Sequence, residues 1–250
     1  MIEFAVIFAV CTLSGFMTGL LGLGGGLVII PAFLIVLPFF GINYSIHQII
    51  GISTACVFVN ASMSVFYRRH EKYMPFKIVS GLGIAIIIGT MGGAYISSFS
   101  PRVLLLWIFI VISILSIILA NNDFYYDMTK SKYLFLLYPV FAFIGAISAS
   151  IGIGGALLFA TALKCFTDKN AKELLPTITL LVLIHACFAF LGKYITGNVS
   201  LVILPISLPA SIIGAKIGVL ISRKLSPSAI TKLMSGTLGL SLIKIIFELF

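Results

Sequence analysis

The stretch GFMTGLLGLGGGLVIIP, Gly15 to Pro31, decides the fold of this chain. It holds six glycines and a proline, the residues least suited to a helix interior, inside an apolar run from Phe4 to about Phe40. Across the whole chain 60% of the residues are hydrophobic, 9% are charged and the mean hydropathy is +1.22. Such values lie outside the range of soluble globular chains. We therefore predict an all-α integral membrane protein, with a broken helix at this stretch.

The charges and cysteines exclude several other classes of protein. The net charge is +9, but the basic residues fall in short connections between apolar spans, as in membrane proteins, rather than along one face. We therefore predict a lipid bilayer and not nucleic acid as the partner. The four cysteines show neither disulfide nor metal-ligand spacing. No cofactor and no metal site is predicted.

The glycine-rich stretch occurs twice. GAISASIGIGGALLFATA, Gly145 to Ala162, repeats Gly15 to Ala32 at an offset of 130 residues. A second glycine motif recurs at an offset of 125, which places Gly89 and Gly93 on Gly214 and Gly218. The chain is therefore read as two copies of one unit, residues 1–125 and 126–250, within one transmembrane domain.

Each copy is predicted to contain a glycine-interrupted segment followed by three plainer spans. These spans are 48–67, 77–97 and 103–120 in the first copy and 173–192, 199–221 and 230–249 in the second. If the interrupted segment crosses the membrane once, the basic loop residues divide seven against seven. If it enters and returns, as a re-entrant hairpin or a helix pair, twelve share one side against Arg102 and Lys193. The positive-inside rule favours the second arrangement, with both termini periplasmic.

An odd number of crossings makes the two copies inverted relative to each other, an arrangement typical of secondary transporters. Their broken helices would meet near the midplane, where freed backbone amides line a polar cavity. The glycines predicted to bind substrate are Gly24, Gly25, Gly26, Gly154 and Gly155. The alternative is that these glycines only permit close helix packing. For Gly89, Gly93, Gly214 and Gly218 we favour that packing role.

Few side chains in the predicted spans can take part in chemistry. Ser53, Asn60 and Ser64 form a polar stripe on one helix face, and His185 falls on Asn60 at the offset of 125. The predicted substrate-binding side chains are Ser53, Thr54, Asn60, Thr179, His185 and Lys216. The alternatives are hydroxyls that bond to their own helix, a neutral histidine between helices, and a lysine that snorkels to the membrane interface. No carboxylate falls at the middle of a predicted span.

These residues resemble a known family. GLLGLGGGLVIIP, its echo SIGIGGALLFA and a later GxxxG helix with a Ser-Pro turn are similar to the TauE/SafE sulfite exporters and sulfonate permeases. The resemblance covers both halves of the chain. It implies a multi-pass carrier of the bacterial inner membrane for small anions such as sulfite, thiosulfate or sulfonates. The second copy departs from the pattern, with Ala156 for the third glycine and Thr161 in place of Pro31.

The sequence therefore predicts a secondary transporter of small anions, of the sulfite, thiosulfate or sulfoacetate type, that works by alternating access. The alternatives are an anion channel and, disfavoured, a membrane-embedded enzyme, because the spans contain no buried acid pair, clustered metal ligands or Ser-His-Asp set. The exact substrate, the direction of transport, the coupling ion (H⁺ or Na⁺) and the oligomeric state are left open.

Overall fold

A computed structural model describes residues 2–21, 25–41, 44–72, 76–121, 134–166, 171–199 and 204–226, with single positions at 229, 232, 233, 236 and 239. The helices in these residues are α1 (Ile2–Leu21), α2 (Gly26–Phe39), α3 (Ile46–Arg68), α4 (Phe76–Ser97), α5 (Arg102–Asn121), α6 (Leu134–Ile151), α7 (Ala156–Phe166), α8 (Ala171–Ile195) and α9 (Leu204–Ser222). Gly24 and most of the predicted span 230–249 lie outside the described residues.

The described part of the chain is an all-helical membrane protein. Four of its helices are long and apolar enough to cross a bilayer: Ile46–Arg68, Ile78–Ser97, Glu173–Ile195 and Leu204–Ser222. Large apolar side chains also cover the outside of the bundle. Ile88 of α4 is 68% exposed and Val111 of α5 is 57% exposed. A bilayer solvates such a surface, whereas water does not.

The first glycine-rich segment forms two helices that enter and return. α1 runs beside α3 in the same direction, as three contacts in register demonstrate: Cys11 Sγ to Cys56 Sγ at 3.9 Å, Ser14 Oγ to Asn60 Nδ2 at 3.4 Å, and Gly19 O to Arg68 Nη2 at 3.0 Å. Because α2 joins the end of α1 to the start of α3, it must run back against both of them.

α3 and α8, the equivalent helices of the two copies, pack antiparallel to each other. The rings of Phe58 and Phe190 stack with centroids 6.3 Å apart, and Gly51 near the start of α3 lies against the backbone of Asn198 after α8. We name the two ends of the molecule after the last basic residue of α3, Arg68, and of α8, Lys193. The Arg68 end is where α3 and α9 finish, and the Lys193 end is where α8 and α4 finish.

The glycines that recur at an offset of 125 pack across the two copies. A Cβ added to Gly214 or Gly218 of α9 would meet the carbonyl oxygens of Thr12 and Phe16 in α1. A Cβ added to Gly89 or Gly93 of α4 would meet those of Ala142 and Ala146 in α6. The predicted close helix contacts are confirmed. The two glycine pairs correspond at the offset of 125, and their contact residues, Thr12 and Phe16 in α1 and Ala142 and Ala146 in α6, correspond at the offset of 130.

Two of the basic residues that the enter-and-return arrangement assigns to one side, Arg68 and Arg223, lie at the same end of the described bundle. Glu71 binds Arg68 at 3.1 Å and Arg223 at 3.3 Å, so the loops after α3 and α9 lie at one end. Arg102 lies at the opposite end, where it lines a cavity with His47 at the start of α3. The single-crossing arrangement would put Arg68 and Arg223 on opposite sides, and their shared partner contradicts it.

Candidate functional site

The two glycine breaks meet in the interior of the bundle. α2 begins after Gly25 and α7 after Gly155, whose φ angles of 68° and 66° are left-handed values that glycine adopts without strain. A Cβ on Gly26 would lie only 2.7 Å from the Cα of Ile153 in the second break. The Ser53 hydroxyl donates a hydrogen bond to Gly152 O at 2.8 Å and so joins α3 to this contact.

Polar side chains surround the first break. Ser14 Oγ donates to Gly25 O at 3.1 Å and receives a 3.4 Å hydrogen bond from Asn60 Nδ2, while Thr18 Oγ1 donates to Ser14 O at 2.9 Å. All of these side chains are buried. Asn60 Oδ1 and Ser64 Oγ have no hydrogen-bond partner among the described residues. Buried polar atoms are normally satisfied, so these two require a partner from outside the described residues, such as a water molecule or a ligand.

Aromatic rings line the second break instead. A Cβ on Gly155 would lie 2.9 Å from both Ser148 Oγ and the ring of Phe159. That ring stacks on Phe141, with centroids 5.6 Å apart, and meets His185 edge-on at 5.8 Å. Within the described part of the chain, Ser148 Oγ also lacks a hydrogen-bond partner. This break therefore combines one unsatisfied hydroxyl with an apolar wall.

His185 connects two helices rather than facing an open polar cavity. Its Nδ1 lies 2.8 Å from Thr90 Oγ1 of α4, and the side chain is 1% exposed. This is the arrangement between helices that we gave as the alternative to a role in substrate binding. His185 reaches the second break only through the Phe159 ring.

Three predicted residues do not contribute a free polar group to the breaks. The hydroxyls of Thr54 and Thr179 bond to carbonyl oxygens of their own helices, Gly51 O and Pro176 O, each at 2.8 Å. Lys216 lies on the exposed outer face of α9. Because Gly214 and Gly218 occupy the inner face of that helix, the residue midway between them points outward. The structure therefore separates Lys216 from the predicted site and agrees with snorkelling.

Sequence reasoning missed several buried polar residues. Thr18 and Ser148, which approach Gly25 and Gly155, correspond at the offset of 130, so the repeat itself carried the signal. Thr90 gave no signal beyond its place beside the packing glycine Gly89. Arg68 and Lys193 were assigned to loops, yet both are buried at helix ends and correspond at the offset of 125.

Glycine-broken helix pairs that meet at a buried polar centre inside an apolar bundle are typical of membrane transporters. The comparisons with known proteins agree. The family model for the sulfite exporter TauE/SafE matches residues 7–245, so the chain belongs to the TauE/SafE family. It is accordingly a membrane transporter and not an enzyme.

Two curated relatives extend over nearly the whole chain. A "Probable membrane transporter protein" of Methanocaldococcus jannaschii is 25% identical over 254 residues, covering 95% of this chain and 94% of its own. The "Probable membrane transporter protein YunE" of Bacillus subtilis is 24% identical over 275 residues, covering 98% of both chains. No solved structure matches the chain.

Proposed function

We propose that the protein is a secondary transporter that moves small sulfur oxyanions or organosulfonates, such as sulfite, thiosulfate or sulfoacetate, across the bacterial inner membrane by alternating access. The family supports the sulfur chemistry. Two physical features support a negative charge on the substrate. The first turns of α2 and α7, which begin at the breaks, carry the positive ends of their helix dipoles. Among the described residues, the buried polar side chains also include no carboxylate.

The observation that carries the proposal is the contact of the two breaks at Gly26, Gly152 and Ser53, with unsatisfied buried polar atoms on both sides. Asn60 on one side and Ser148 on the other can each complete a hydrogen bond to a bound oxyanion. The Asn60 amide can do so with the second N–H of Nδ2, since Ser14 Oγ accepts only one of the two. A site built from amides and hydroxyls holds an anion without a fixed opposite charge, which favours release as well as binding.

The helix contacts support inverted repeats. α3 and α8 correspond in sequence and run antiparallel. α9 of the second copy packs on α1 of the first through the glycine pair corresponding to that by which α4 of the first copy packs on α6 of the second. This reciprocal contact supports an approximate two-fold relation between the copies. In transporters of this architecture one half rocks against the other around a central site. The same arrangement supports our proposal that the Arg68 end is cytoplasmic and both termini are periplasmic.

Flux measurements in proteoliposomes test the transport mechanism. We expect saturable counterflow of labelled thiosulfate that unlabelled sulfite, sulfoacetate or taurine inhibits and a carboxylate control does not. Repeating the flux with Na⁺ replaced by choline, and with and without a proton gradient, identifies the coupling ion. Large unsaturating currents without counterflow would instead identify an anion channel. An absence of flux for every sulfur anion in the panel would refute the proposal.

Labelling from outside tests the orientation. In a background without cysteines, Ser100→Cys lies at the Lys193 end and Ser226→Cys at the Arg68 end. An impermeant thiol reagent added to intact spheroplasts should label Ser100→Cys and leave Ser226→Cys unmodified until the membrane is broken. Each variant is the other's control for expression and reactivity. Equal labelling of the two positions contradicts the proposed orientation.

A further inference from the structure

The last turns of α3 and α8 each contain a buried cation. Arg68 is 2% exposed and donates from Nη2 to Ser222 Oγ at 2.6 Å. Lys193 is 0% exposed and donates from Nζ to Ser97 Oγ at 2.8 Å. The offset of 125 relates both pairs, since Arg68 falls on Lys193 and Ser97 on Ser222. The same contact therefore occurs once at each end of the molecule.

At the Arg68 end the protein supplies the opposite charge. Glu71 Oε2 accepts a hydrogen bond from Arg68 Nη1 at 3.1 Å, and its other oxygen accepts one from Arg223 at 3.3 Å. Gly19 O accepts a further bond from Arg68 at 3.0 Å. Arg68 therefore has a carboxylate partner within the protein, which it shares with Arg223.

At the Lys193 end hydroxyl groups replace these charges. The offset of 125 places Thr196 where the other end has Glu71, and Ser98 where it has Arg223. The ion pair of Glu71 and Arg223 is correspondingly replaced by a 2.9 Å hydrogen bond between Thr196 and Ser98. Ser98 Oγ also lies 3.4 Å from Lys193 Nζ. Within the described residues, no carboxylate contacts the Lys193 ammonium.

A fully buried ammonium without an opposite charge is unfavourable, because its two hydroxyl partners replace only part of its hydration. A second cation lies at the same end, where Arg102 lines a cavity of about 430 Å³ together with His47. His47 lies close enough to Lys193 for the two to interact electrostatically, so the ammonium lies within electrostatic reach of this cavity. Cations around a cleft raise the local concentration of anions.

We propose that Lys193, Ser97, Ser98 and Thr196 form an anion-binding subsite that holds the transported oxyanion as it enters or leaves at the Lys193 end. The identity of the anion rests on the proposed function. Because Lys193 is buried, an anion reaches it only when α4 and α8 separate at this end, which is the motion that alternating access requires. The Arg68 end has no such subsite, since Glu71 already occupies the equivalent position.

The test compares thiosulfate affinity, measured by thermal shift and calorimetry on purified protein in a neutral detergent. Lys193→Met should bind thiosulfate on the order of 10- to 100-fold more weakly, as expected for loss of a charged hydrogen-bond donor. Lys193→Arg should retain most of the affinity. Thr196→Glu keeps the lysine but supplies the carboxylate that Glu71 provides at the other end, and should weaken binding to a similar extent. Lys216→Met, an equal loss of charge on the outer face, is the matched control and should bind within about twofold of the unmodified protein.

The outcomes distinguish this inference from the proposed function. If the unmodified protein transports thiosulfate, and folded Lys193→Met and Thr196→Glu bind it with unchanged affinity, the subsite is refuted while the transport function stands. If the unmodified protein neither binds nor transports any sulfur anion, the proposed function fails. The subsite is then decided by whether phosphate stabilises the unmodified protein but not Lys193→Met. An effect of Lys193→Met that appears only in vesicles with phosphatidylglycerol, and not in phosphatidylcholine alone, would assign the site to a lipid headgroup and overturn the inference.

Discussion

The two glycine breaks share a backbone plan but differ in what surrounds them. Gly25 and Gly155 both have φ near 67° at the start of a short helix, and the preceding helix presents a hydroxyl to each, from Thr18 or Ser148. The Asn60 amide also approaches Gly25, whereas the Phe159 ring approaches Gly155. The duplicated backbone has therefore been kept while its lining has diverged.

The divergence can be traced to single positions. At the offset of 130, Phe159 corresponds to Ile29 and Phe141 to Cys11, so the stacked rings exist only in the second copy. At the offset of 125, His185 corresponds to Asn60, but the imidazole is bonded to Thr90 while part of the amide is unsatisfied among the described residues. The first break thus gives the proposed site its polar side, and the second break gives it an apolar wall.

Among the substitutions in the two breaks, Gly25→Ala should reduce thiosulfate counterflow the most. The new methyl group would lie 2.6 Å from Thr18 Oγ1 and 3.0 Å from Asn60 Nδ2, within the polar lining. We expect thiosulfate counterflow per folded transporter to fall by more than about tenfold, since one misplaced hydrogen bond of roughly 1.4 kcal/mol already costs that factor. Gly155→Ala should have a smaller effect, because its closest contacts, to Ser148 Oγ and the Phe159 ring, are longer at 2.9 Å.

Gly41→Ala is the matched control for Gly25→Ala. Gly41 has the same left-handed backbone, with φ of 74°, but a Cβ there meets nothing within 4 Å. Both substitutions therefore carry the strain of about 1–2 kcal/mol that a left-handed residue imposes, and only Gly25→Ala also disturbs the break. Equal losses of counterflow in the two variants would mean that backbone strain, and not the close approach at Gly25, limits transport.

The helices and the repeat could be predicted because they depend on local properties of the chain. The spans were predicted from the length of each apolar run. The observed α3 and α5 agree with the predicted spans 48–67 and 103–120 to within two residues at each end. Glycine clusters marked the breaks because a helix cannot continue cheaply through them. The distribution of basic residues then favoured a segment that enters and returns.

The partners of the buried polar residues could not be predicted, because they come from the other copy or from distant helices. Thr90 of the first copy bonds His185 of the second, and Ser53 of the first bonds Gly152 of the second. Periodicity places a residue on a face of its helix but does not say which helix packs there. Lys216 illustrates this limit: the sequence placed it between two packing glycines, but did not say that they would turn it outward.

The buried cations were missed for a different reason. α8 continues to Ile195, beyond the predicted end at residue 192, so Lys193 lies inside the helix rather than in a loop. Short errors at helix ends are common in sequence-based assignment. Here an error of three residues concealed a buried charge, which only the correspondence of Lys193 with Arg68 could have indicated.

Asn60→Ala and His185→Gln should produce the smallest effects on thiosulfate binding and transport. They test the first and the second break separately. Asn60→Ala removes an amide with unused hydrogen-bonding capacity at the first break, so thiosulfate affinity should fall by about 2- to 13-fold, equivalent to roughly 0.5–1.5 kcal/mol. His185→Gln retains an amide that can bond Thr90 and removes the imidazole. Because His185 is held between helices, we expect thiosulfate affinity and the pH dependence of counterflow to stay within twofold of the unmodified protein.

Calorimetry measures the change in affinity, and counterflow between pH 5.5 and 8 measures the pH dependence. Ser62→Ala is the control for loss of a polar group on α3, because the Ser62 hydroxyl bonds its own helix, through Phe58 O. A folded Asn60→Ala with unchanged affinity would remove the first break from the substrate site, whereas a flattened pH profile in His185→Gln would make His185 a proton-coupling residue and reverse the roles given to the two breaks.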